Sequence, residues 1–595
     1  MTDTVGQPAR SGASTRRYAL PWWVAIVVGL ACTAIGLVLV GRPLTSVTLL
    51  AVLLGIAAVL TGVADLIDAR QSATPRTSAA LGALWIVFGA VVLVRLGQSI
   101  ELLAPAFGVA LLIGGAVRLS RAARGGVDQR LAVGIFAVAE IVLGVLALRW
   151  LDLTLLALAL LFGLRAIVFG IALIVDGVSR AFGWHREVPV RTEPTGPARF
   201  GRVAVAVLAL VVAVGAAGVG AQVRQDSPTV DAFYDAPAQV PAAPGVLLRS
   251  EPFTRGIPES AIAWRILYTT TRDDGVPALA SGLVMVPKQP SDIARPVIAW
   301  AHGTTGYARQ CAPTLVADPL TAGALPAREQ ILANGWALVA TDYPGLGTAG
   351  PQPYLIGQGE GRSVLDAVRA ARGLTEIRLA DRTVVWGHSQ GGHAALWAGL
   401  LAPTYAPDAG VTAIAAMAPA ADITGLTRHL PDVPGGSVFA SFVAAAYADT
   451  YSDIDLDAYI TAPARTLVRE MAQRCLSEPG VLASVLSALS ISHDRSIFRT
   501  DPTTGPLGVR ITANIPTGTM TPPLLLAQGA DDPLVEPSIQ DSYVAARCRD
   551  RWNLDYRVYP DRDHLSVVAD YSPLIPDLLT WTTQRLTGAP PTPNC

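Results

Sequence analysis

Long apolar runs, separated by short polar connections, dominate the first 225 residues of the 595-residue chain. A helix needs about 20 apolar residues to cross a bilayer. A single secretory signal would not repeat along the chain, so the pattern indicates a multi-pass membrane region. Membrane-spanning helices are predicted at residues 20–41, 45–67, 79–96, 100–118, 130–148, 152–177 and 201–222.

The first six runs form three hairpins in which glycines recur. The second helix of each hairpin carries two glycines seven residues apart, which places both on one helix face. Small residues on one face let membrane helices approach closely, so we interpret the repeat as helix packing. A lipid or substrate path between the repeats is the alternative interpretation. The repeated pairs are Gly55 and Gly62, Gly108 and Gly115, and Gly163 and Gly170.

Two charged residues, Glu140 and Arg165, lie deep within apolar runs of the third hairpin. A charge near the bilayer centre costs at least about 2.5 kcal/mol on insertion scales, so each needs a partner. We predict that Glu140 pairs with Arg165 as a pin between two helices, and a role in transport or sensing is the alternative. With these repeated hairpins, residues 20–177 resemble the six-helix membrane proteins of the HdeD type. The resemblance implies architecture and little about activity.

Arginines are distributed unevenly among the connections. Fourteen lie in the N-terminal tail and in every second connection, whereas the other connections hold Arg42, Arg95 and Arg149. Because positive charge favours the inner side, the N-terminus is predicted inside the cytoplasmic membrane. The predicted parts are an inner tail at 1–19, the six-helix domain at 20–177, an inner loop at 178–200, the seventh helix, a linker at 223–250 and an outer domain at 251–595.

Composition separates the two halves. Residues 1–225 hold 19 arginines against 10 acidic residues, and the remainder holds 26 basic against 36 acidic residues. An acidic globular half lacks the basic surface that nucleic-acid binding needs, so no nucleic-acid partner is expected. Its four cysteines can form two disulfides in an oxidising compartment, with three possible connectivities. They are Cys311, Cys475, Cys548 and Cys595.

Beyond residue 262 the pattern changes to short β-rich runs alternating with helical runs. This alternation predicts an α/β domain with a mostly parallel sheet, entered by an antiparallel hairpin. About 105 residues separate the runs at 411–417 and 523–528, far more than an ordinary connection. We interpret the insertion, at about 420–520, as a helical cap whose apolar content suits an acyl chain.

A Gly-His-Ser-Gln-Gly motif at 387–391 lies between a buried-strand run and a helix start. This context is typical of the nucleophile elbow, which lifts a serine hydroxyl above the sheet. Ser389 is therefore the candidate nucleophile. A serine needs an imidazole to take its proton and a carboxylate to orient that imidazole.

The other catalytic candidates follow from chain order, which in such enzymes runs serine, carboxylate, histidine. Asp532 and Asp531 both lie just past a strand end, and Asp532 is our choice. His564 also follows a strand end and is the one histidine beyond these carboxylates. Two backbone N–H groups must stabilise the developing oxyanion. We assign Gln390 and Thr304, with Gly303 as the alternative to Thr304.

Four motifs carry a second resemblance: HGTTG followed by Cys-Ala-Pro, GHSQGG, ADDPLV and the terminal DRDH. With them, residues 250–595 resemble the secretory lipase family. That resemblance implies an α/β-hydrolase with a helical cap acting on lipid esters. It also implies that Cys311 pairs with Cys475 and that Cys548 pairs with Cys595.

Together these features predict a multi-domain, membrane-anchored serine hydrolase that cleaves lipid or other carboxylic esters through an acyl-enzyme. The expected partners are an acyl ester substrate and the membrane, and no metal or cofactor is expected. An acyltransferase using the same three residues is one alternative. A membrane transporter or stress sensor with an accessory hydrolase domain is the other.

Overall fold

The computed structural model describes residues 21–68, 75–121, 127–182, 196–225, 228–273, 275–491 and 496–595. Each apolar run of the N-terminal half forms a helix. Within the described residues, six of these helices are long and apolar enough to cross a membrane, and the third has a shorter apolar stretch, Gly82–Val94. The helices are α1 (Trp22–Gly41), α2 (Pro43–Asp68), α3 (Pro75–Val94), α4 (Leu96–Arg121), α5 (Val127–Arg149), α6 (Leu151–Ala181) and α7 (Gly196–Gln225).

The first six helices pack as three tight pairs, α1 with α6, α2 with α3, and α4 with α5. Each pair joins the second helix of one hairpin to the first helix of the next, and the third hairpin closes onto the first. A Cβ atom at any of the facing glycines would overlap the backbone or a side chain of the partner helix. The repeated glycines therefore serve helix packing. The facing residues are Gly36 and Gly163, Gly55 and Gly89, and Gly108 and Gly144.

The predicted pair of Glu140 and Arg165 is wrong. Glu140 Oε2 lies 3.0 Å from Arg118 Nε on α4, and the Arg165 side chain is exposed on α6. The reason is the way the helices pair, because α5 packs along α4 whereas α6 packs along α1. Residues at similar depth on consecutive helices are therefore not neighbours here.

The C-terminal half contains one nine-stranded sheet of order β1-β2-β3-β5-β4-β6-β7-β8-β9. The strands β1 to β3 and the β3–β5 pair are antiparallel, and the remaining pairs are parallel. The predicted α/β fold is confirmed. The strands are β1 (Leu247–Phe253), β2 (Ala261–Thr271), β3 (Pro277–Pro287), β4 (Arg295–Ala301), β5 (Ala337–Thr341), β6 (Leu379–His388), β7 (Val411–Met417), β8 (Leu524–Gly529) and β9 (Leu554–Tyr559).

The segment predicted as a linker, 223–250, is partly structured. The strand β1 already begins at Leu247. A short 3-10 helix at Ala232–Tyr234 inserts Phe233 and Tyr234 into the core below the sheet. Two buried aromatic side chains fix this segment on the domain, although its Pro- and Ala-rich composition favoured a linker.

Helices cover both faces of the sheet, and one group of them forms the cap. One face packs against α9 and α10, and the other packs against α8 and α18. The cap extends from α11 to α16, between β7 and β8. The helices of this half are α8 (Arg328–Ala333), α9 (Gly357–Ala371), α10 (Gln390–Tyr405), α11 (Ile423–His429), α12 (Gly436–Thr450), α13 (Leu456–Tyr459), α14 (Arg465–Ala472), α15 (Val481–Ile491), α16 (Gly505–Ala513), α17 (Pro537–Arg549) and α18 (Leu574–Leu586).

The cap has its own apolar core, which extends into the membrane helices. Phe442, Tyr447 and Val468 of the cap belong to the same buried cluster as Ile100 of α4 and Leu155 of α6. The ends of these membrane helices thus pack directly against the cap.

Candidate active site

Ser389 lies on the turn between β6 and α10. Its backbone has φ 58° and ψ −119°, a strained conformation for a residue with a side chain. A Cβ atom on Gly387 would overlap the carbonyl oxygen of Gly391, and one on Gly391 would overlap that of Ala301. The turn is therefore possible only with glycine at both positions.

The three predicted side chains meet at the carboxyl edge of the parallel strands. His564 Nε2 lies 2.9 Å from Ser389 Oγ, and His564 Nδ1 lies 2.8 Å from Asp532 Oδ2. The serine follows β6, the carboxylate follows β8 and the histidine follows β9, so each side chain is held just beyond a strand end. Asp531, the alternative carboxylate, is exposed to solvent.

The Asp532 carboxylate is fixed by further donors. Its Oδ1 accepts the backbone N–H groups of Leu534 and Val535, each at 2.9 Å. Its Oδ2 accepts the Gln528 amide at 3.1 Å as well as His564. Only 2% of Asp532 is exposed. Because hydrogen bonds reach both oxygens, the carboxylate is held in one orientation towards the His564 ring.

The two predicted oxyanion donors, Gln390 and Thr304, lie on different elements. Gln390 is the first residue of α10, where an N–H group has no acceptor within its own helix. The Gly303 N–H donates to the Gly323 carbonyl at 3.0 Å, so it is already engaged. Thr304 is thereby favoured over Gly303 as the second donor.

A cavity of about 620 Å³ opens over the serine. Its wall includes Thr304 and His564 together with the apolar side chains Phe439, Leu476 and Leu534. Apolar walls with a few polar groups at one end are typical of a site for a small organic ligand.

The site includes buried residues that the sequence analysis did not assign. His388 Nε2 lies 2.8 Å from the carbonyl oxygen of His564. Below the elbow, the Glu360 carboxylate accepts Gln390 Nε2 at 2.7 Å and lies 2.8 Å from His393 Nδ1. Burial raises the pKa of Glu360. An acid within a helix gives no sequence signal of this contact, because it depends on how α9 packs on α10.

Both disulfides predicted from the resemblance are confirmed. Cys311 is joined to Cys475, and Cys548 is joined to Cys595. The first bond connects the loop after β4 to the cap, and the second holds the C-terminus on α17. Within the described ranges, no group of three or more His, Cys, Asp or Glu side chains is arranged to hold a metal ion.

The sheet, the elbow and the cap together define an α/β-hydrolase with a helical cap. Residues 327–594 match the model of the secretory lipase family. Residues 27–79 and 135–188 match a family described as a short repeat of unknown function, DUF308. Both predicted resemblances, to secretory lipases and to membrane proteins built from repeated hairpins, are confirmed.

Individual relatives agree with the match to secretory lipases. Lipase A of Moesziomyces aphidis is 23% identical over 394 residues, covering 62% of this chain and 82% of that protein. Lipase 5 of Candida albicans is 28% identical over 292 residues, covering 46% of this chain and 61% of that protein. The crystal structure of Candida antarctica lipase A in its closed state has a TM-score of 0.51 at 21% identity, covering 62% of this chain and 88% of that one. The C-terminal half is a lipase-like carboxylic ester hydrolase.

Proposed function

We propose that this chain is a membrane-anchored serine hydrolase that cleaves lipid esters outside the cytoplasmic membrane. The observation that carries the proposal is the hydrogen-bonded series of Ser389, His564 and Asp532, which opens onto an apolar cavity. Ester cleavage by such a series proceeds through an acyl-enzyme.

The first half of the reaction acylates Ser389. His564 Nε2 takes the serine proton as Oγ attacks the ester carbonyl. The backbone N–H groups of Gln390 and Thr304 stabilise the negative charge that develops on the carbonyl oxygen. His564 then gives the proton to the alcohol as it leaves, and Asp532 stabilises the imidazolium between the two transfers.

The second half releases the acyl group. A water molecule takes the place of the alcohol. Its oxygen attacks the acyl carbon as one of its protons passes to His564. Collapse of the intermediate breaks the bond to Ser389 Oγ, which recovers the proton from His564. The products are a carboxylic acid and the free serine.

The substrate class follows from the cavity. Phe439, Leu476 and Leu534 offer apolar surface beside the serine, and burial of each CH₂ group contributes about 0.8 kcal/mol. Esters with longer acyl chains should therefore bind more tightly than acetate esters. Proteins similar to this chain, such as one from Malassezia globosa, bear the name secreted triacylglycerol lipase.

The location is supported by the way the two halves meet. The cap lies on Glu101 of α4 and Asp152 of α6. Both residues lie near the arginine-poor connections, which the distribution of positive charge assigns to the outer side. An enzyme domain docked on these ends faces away from the cytoplasm. On that outer, oxidising side its two disulfides are stable.

The test compares wild type with Ser389→Ala in the detergent-solubilised full chain, on p-nitrophenyl esters of increasing acyl length. Loss of the nucleophile should lower kcat by about 10⁴-fold or more. Ser542→Ala is the matched control, because Ser542 is exposed on α17, outside the cavity lining. A wild-type protein that cleaves no ester of any length contradicts the proposal. So does a Ser389→Ala protein with normal activity.

The location has its own test. Alkaline phosphatase fused after Cys595 is active only where it can form disulfides, which is outside the cytoplasm. We expect phosphatase activity in intact cells from the full chain and none from a fusion that ends in the connection after α2. The reverse pattern would contradict the proposed orientation.

A further inference from the structure

The membrane helices and the cap are joined by a buried ion pair. Asp152 at the start of α6 accepts both terminal nitrogens of Arg474, at 2.7 and 2.8 Å. Ser487 Oγ donates to the same carboxylate at 2.8 Å. The Asp152 side chain is fully buried and that of Arg474 is 9% exposed. The guanidinium also lies 5.3 Å from the centre of the Trp150 ring.

Arg474 directly precedes Cys475 and Leu476. These two residues contact the oxyanion loop, which is the segment after β4 that contains Thr304 and Thr305. Cys475 forms the disulfide to Cys311 and an isolated β-bridge with Gly306. The N–H of Leu476 donates to the carbonyl of Thr305 at 2.8 Å. Thr305 follows Thr304, the second oxyanion donor. The membrane helix α6 is thus connected to the residue next to that donor. The connection runs through the Asp152–Arg474 ion pair, the chain from Arg474 to Leu476, and the hydrogen bond from Leu476 to Thr305.

Leu476 also lines the cavity over Ser389. A shift of Arg474 would therefore move the loop that carries the donor and the wall that contacts the acyl chain. Burial of two charges is unfavourable unless both are well paired. Removing one partner is more unfavourable still, because it leaves the other charge buried and unpaired. Attachment to the membrane alone requires no such pair, since α7 already connects the enzyme domain to the bundle.

We propose that Asp152 is a positioning residue for ester hydrolysis, acting through Arg474 on the oxyanion loop at Thr304 and Thr305. This inference rests on the proposed function. It makes the six-helix bundle a part of the catalytic structure as well as an anchor. The enzyme domain reaches full activity only while its cap is docked on α6.

The test measures kcat and KM of the full chain in detergent with p-nitrophenyl butyrate. Small displacements of catalytic groups by remote substitutions cost up to about 100-fold in rate. We expect Asp152→Asn to lower kcat about 10- to 100-fold, with KM changed less than about twofold, because the donor stabilises the transition state more than the bound ester.

The matched control is Glu101→Gln. Glu101 accepts hydrogen bonds from Arg465 at 3.0 Å and Arg469 at 3.1 Å across the same interface. Both arginines lie on α14, and no hydrogen bond or ion pair among the described residues joins either of them to the oxyanion loop. We expect kcat within about twofold of wild type even where the melting temperature falls. Equal losses of kcat in Asp152→Asn and Glu101→Gln would overturn the inference, because they would reflect docking in general.

A second variant covers the case in which Asp152→Asn does not fold. Arg474→Lys keeps the charge but loses the two-pronged geometry, and we expect a smaller loss of kcat, about fivefold to tenfold. A kcat within about twofold of wild type in the folded variants would overturn the inference while leaving the proposed function intact. An inactive wild type would instead refute the proposed function, so the two failures are distinguishable.

Discussion

The side chain of His388 holds the backbone of His564. His388 Nε2 lies 2.8 Å from the carbonyl oxygen of His564, and the centres of the two rings are 4.8 Å apart. A carbonyl oxygen can only accept, so this nitrogen carries the hydrogen. Burial, together with the neighbouring His564, lowers the pKa of His388 to about 3. His388 is therefore neutral throughout the pH range in which His564, the proposed base, would act.

Replacing His388 by phenylalanine should slow catalysis without removing the base. The variant keeps an aromatic ring but leaves the His564 carbonyl without this donor, which costs about 1–3 kcal/mol for a buried group. We expect kcat to fall about 10-fold, and the acid limb of the pH profile of kcat/KM to keep its shape, since His388 does not titrate above about pH 3. Stopped-flow assays between pH 4 and 9 measure both; an unchanged kcat would refute the role.

The contrast between the three predicted residues and His388 shows what sequence patterns can reveal about a site. The serine was recognisable from a strand–turn–helix motif within ten residues, and the other two from their order after strand ends. His388 contacts a residue 176 positions away, and Asp152 contacts one 322 positions away. A local sequence pattern cannot predict contacts between residues so far apart in the chain. These contacts can be recognised only once the three-dimensional structure is known.

The same limit explains the errors in the fold. Hydropathy predicts where the helices lie in the sequence and how deep each residue sits, but it does not predict which helices pack together. The predicted partner of Glu140 was therefore Arg165, whereas its partner in the structure is Arg118. The strand β1 was missed because its neighbours in sequence are rich in proline and alanine. Its pairing with β2 provides the hydrogen bonds that its composition did not suggest.

Asp532 and Asp531 are adjacent carboxylates with different expected roles. Asp532→Asn should lower kcat by about 10⁴-fold, because an amide at this place favours the wrong imidazole tautomer while the geometry is kept. Asp531→Asn should leave kcat within about twofold, since that side chain is exposed. Esterase assays of the two folded variants decide the assignment, and the opposite ranking would transfer the role to Asp531.

The two disulfides should differ in what their loss changes. Cys311–Cys475 joins the oxyanion loop to the cap, so the double serine variant should lose kcat as well as thermal stability. Cys548–Cys595 ties the C-terminus to α17, and its double serine variant should lose stability alone, by about 2–4 kcal/mol. Melting curves and kcat at 20 °C separate the effects. Equal kcat values for the two variants would show that the first bond does not position the loop.

The repeated glycines provide a test of the membrane bundle with one substitution at two places. A Cβ at Gly36 would overlap the backbone of Gly163, whereas one at Gly134 meets nothing within 4 Å. Gly134→Ala should be neutral or stabilising by up to about 1 kcal/mol, because alanine is the better helix former. Gly36→Ala should force α1 away from α6 and lower the melting temperature measured by size-exclusion chromatography after heating.

The threefold repeat extends this prediction to the other helix pairs. Gly89→Ala and Gly144→Ala should behave like Gly36→Ala, since each would meet the backbone of its partner helix in the same way. Gly36→Ala has one further consequence, because α6 also carries Asp152. If displacement of α6 disturbs Arg474, kcat should fall more in Gly36→Ala than in Gly89→Ala at equal loss of melting temperature. Equal kcat values would mean that the strain in the α1–α6 pair does not reach the end of α6.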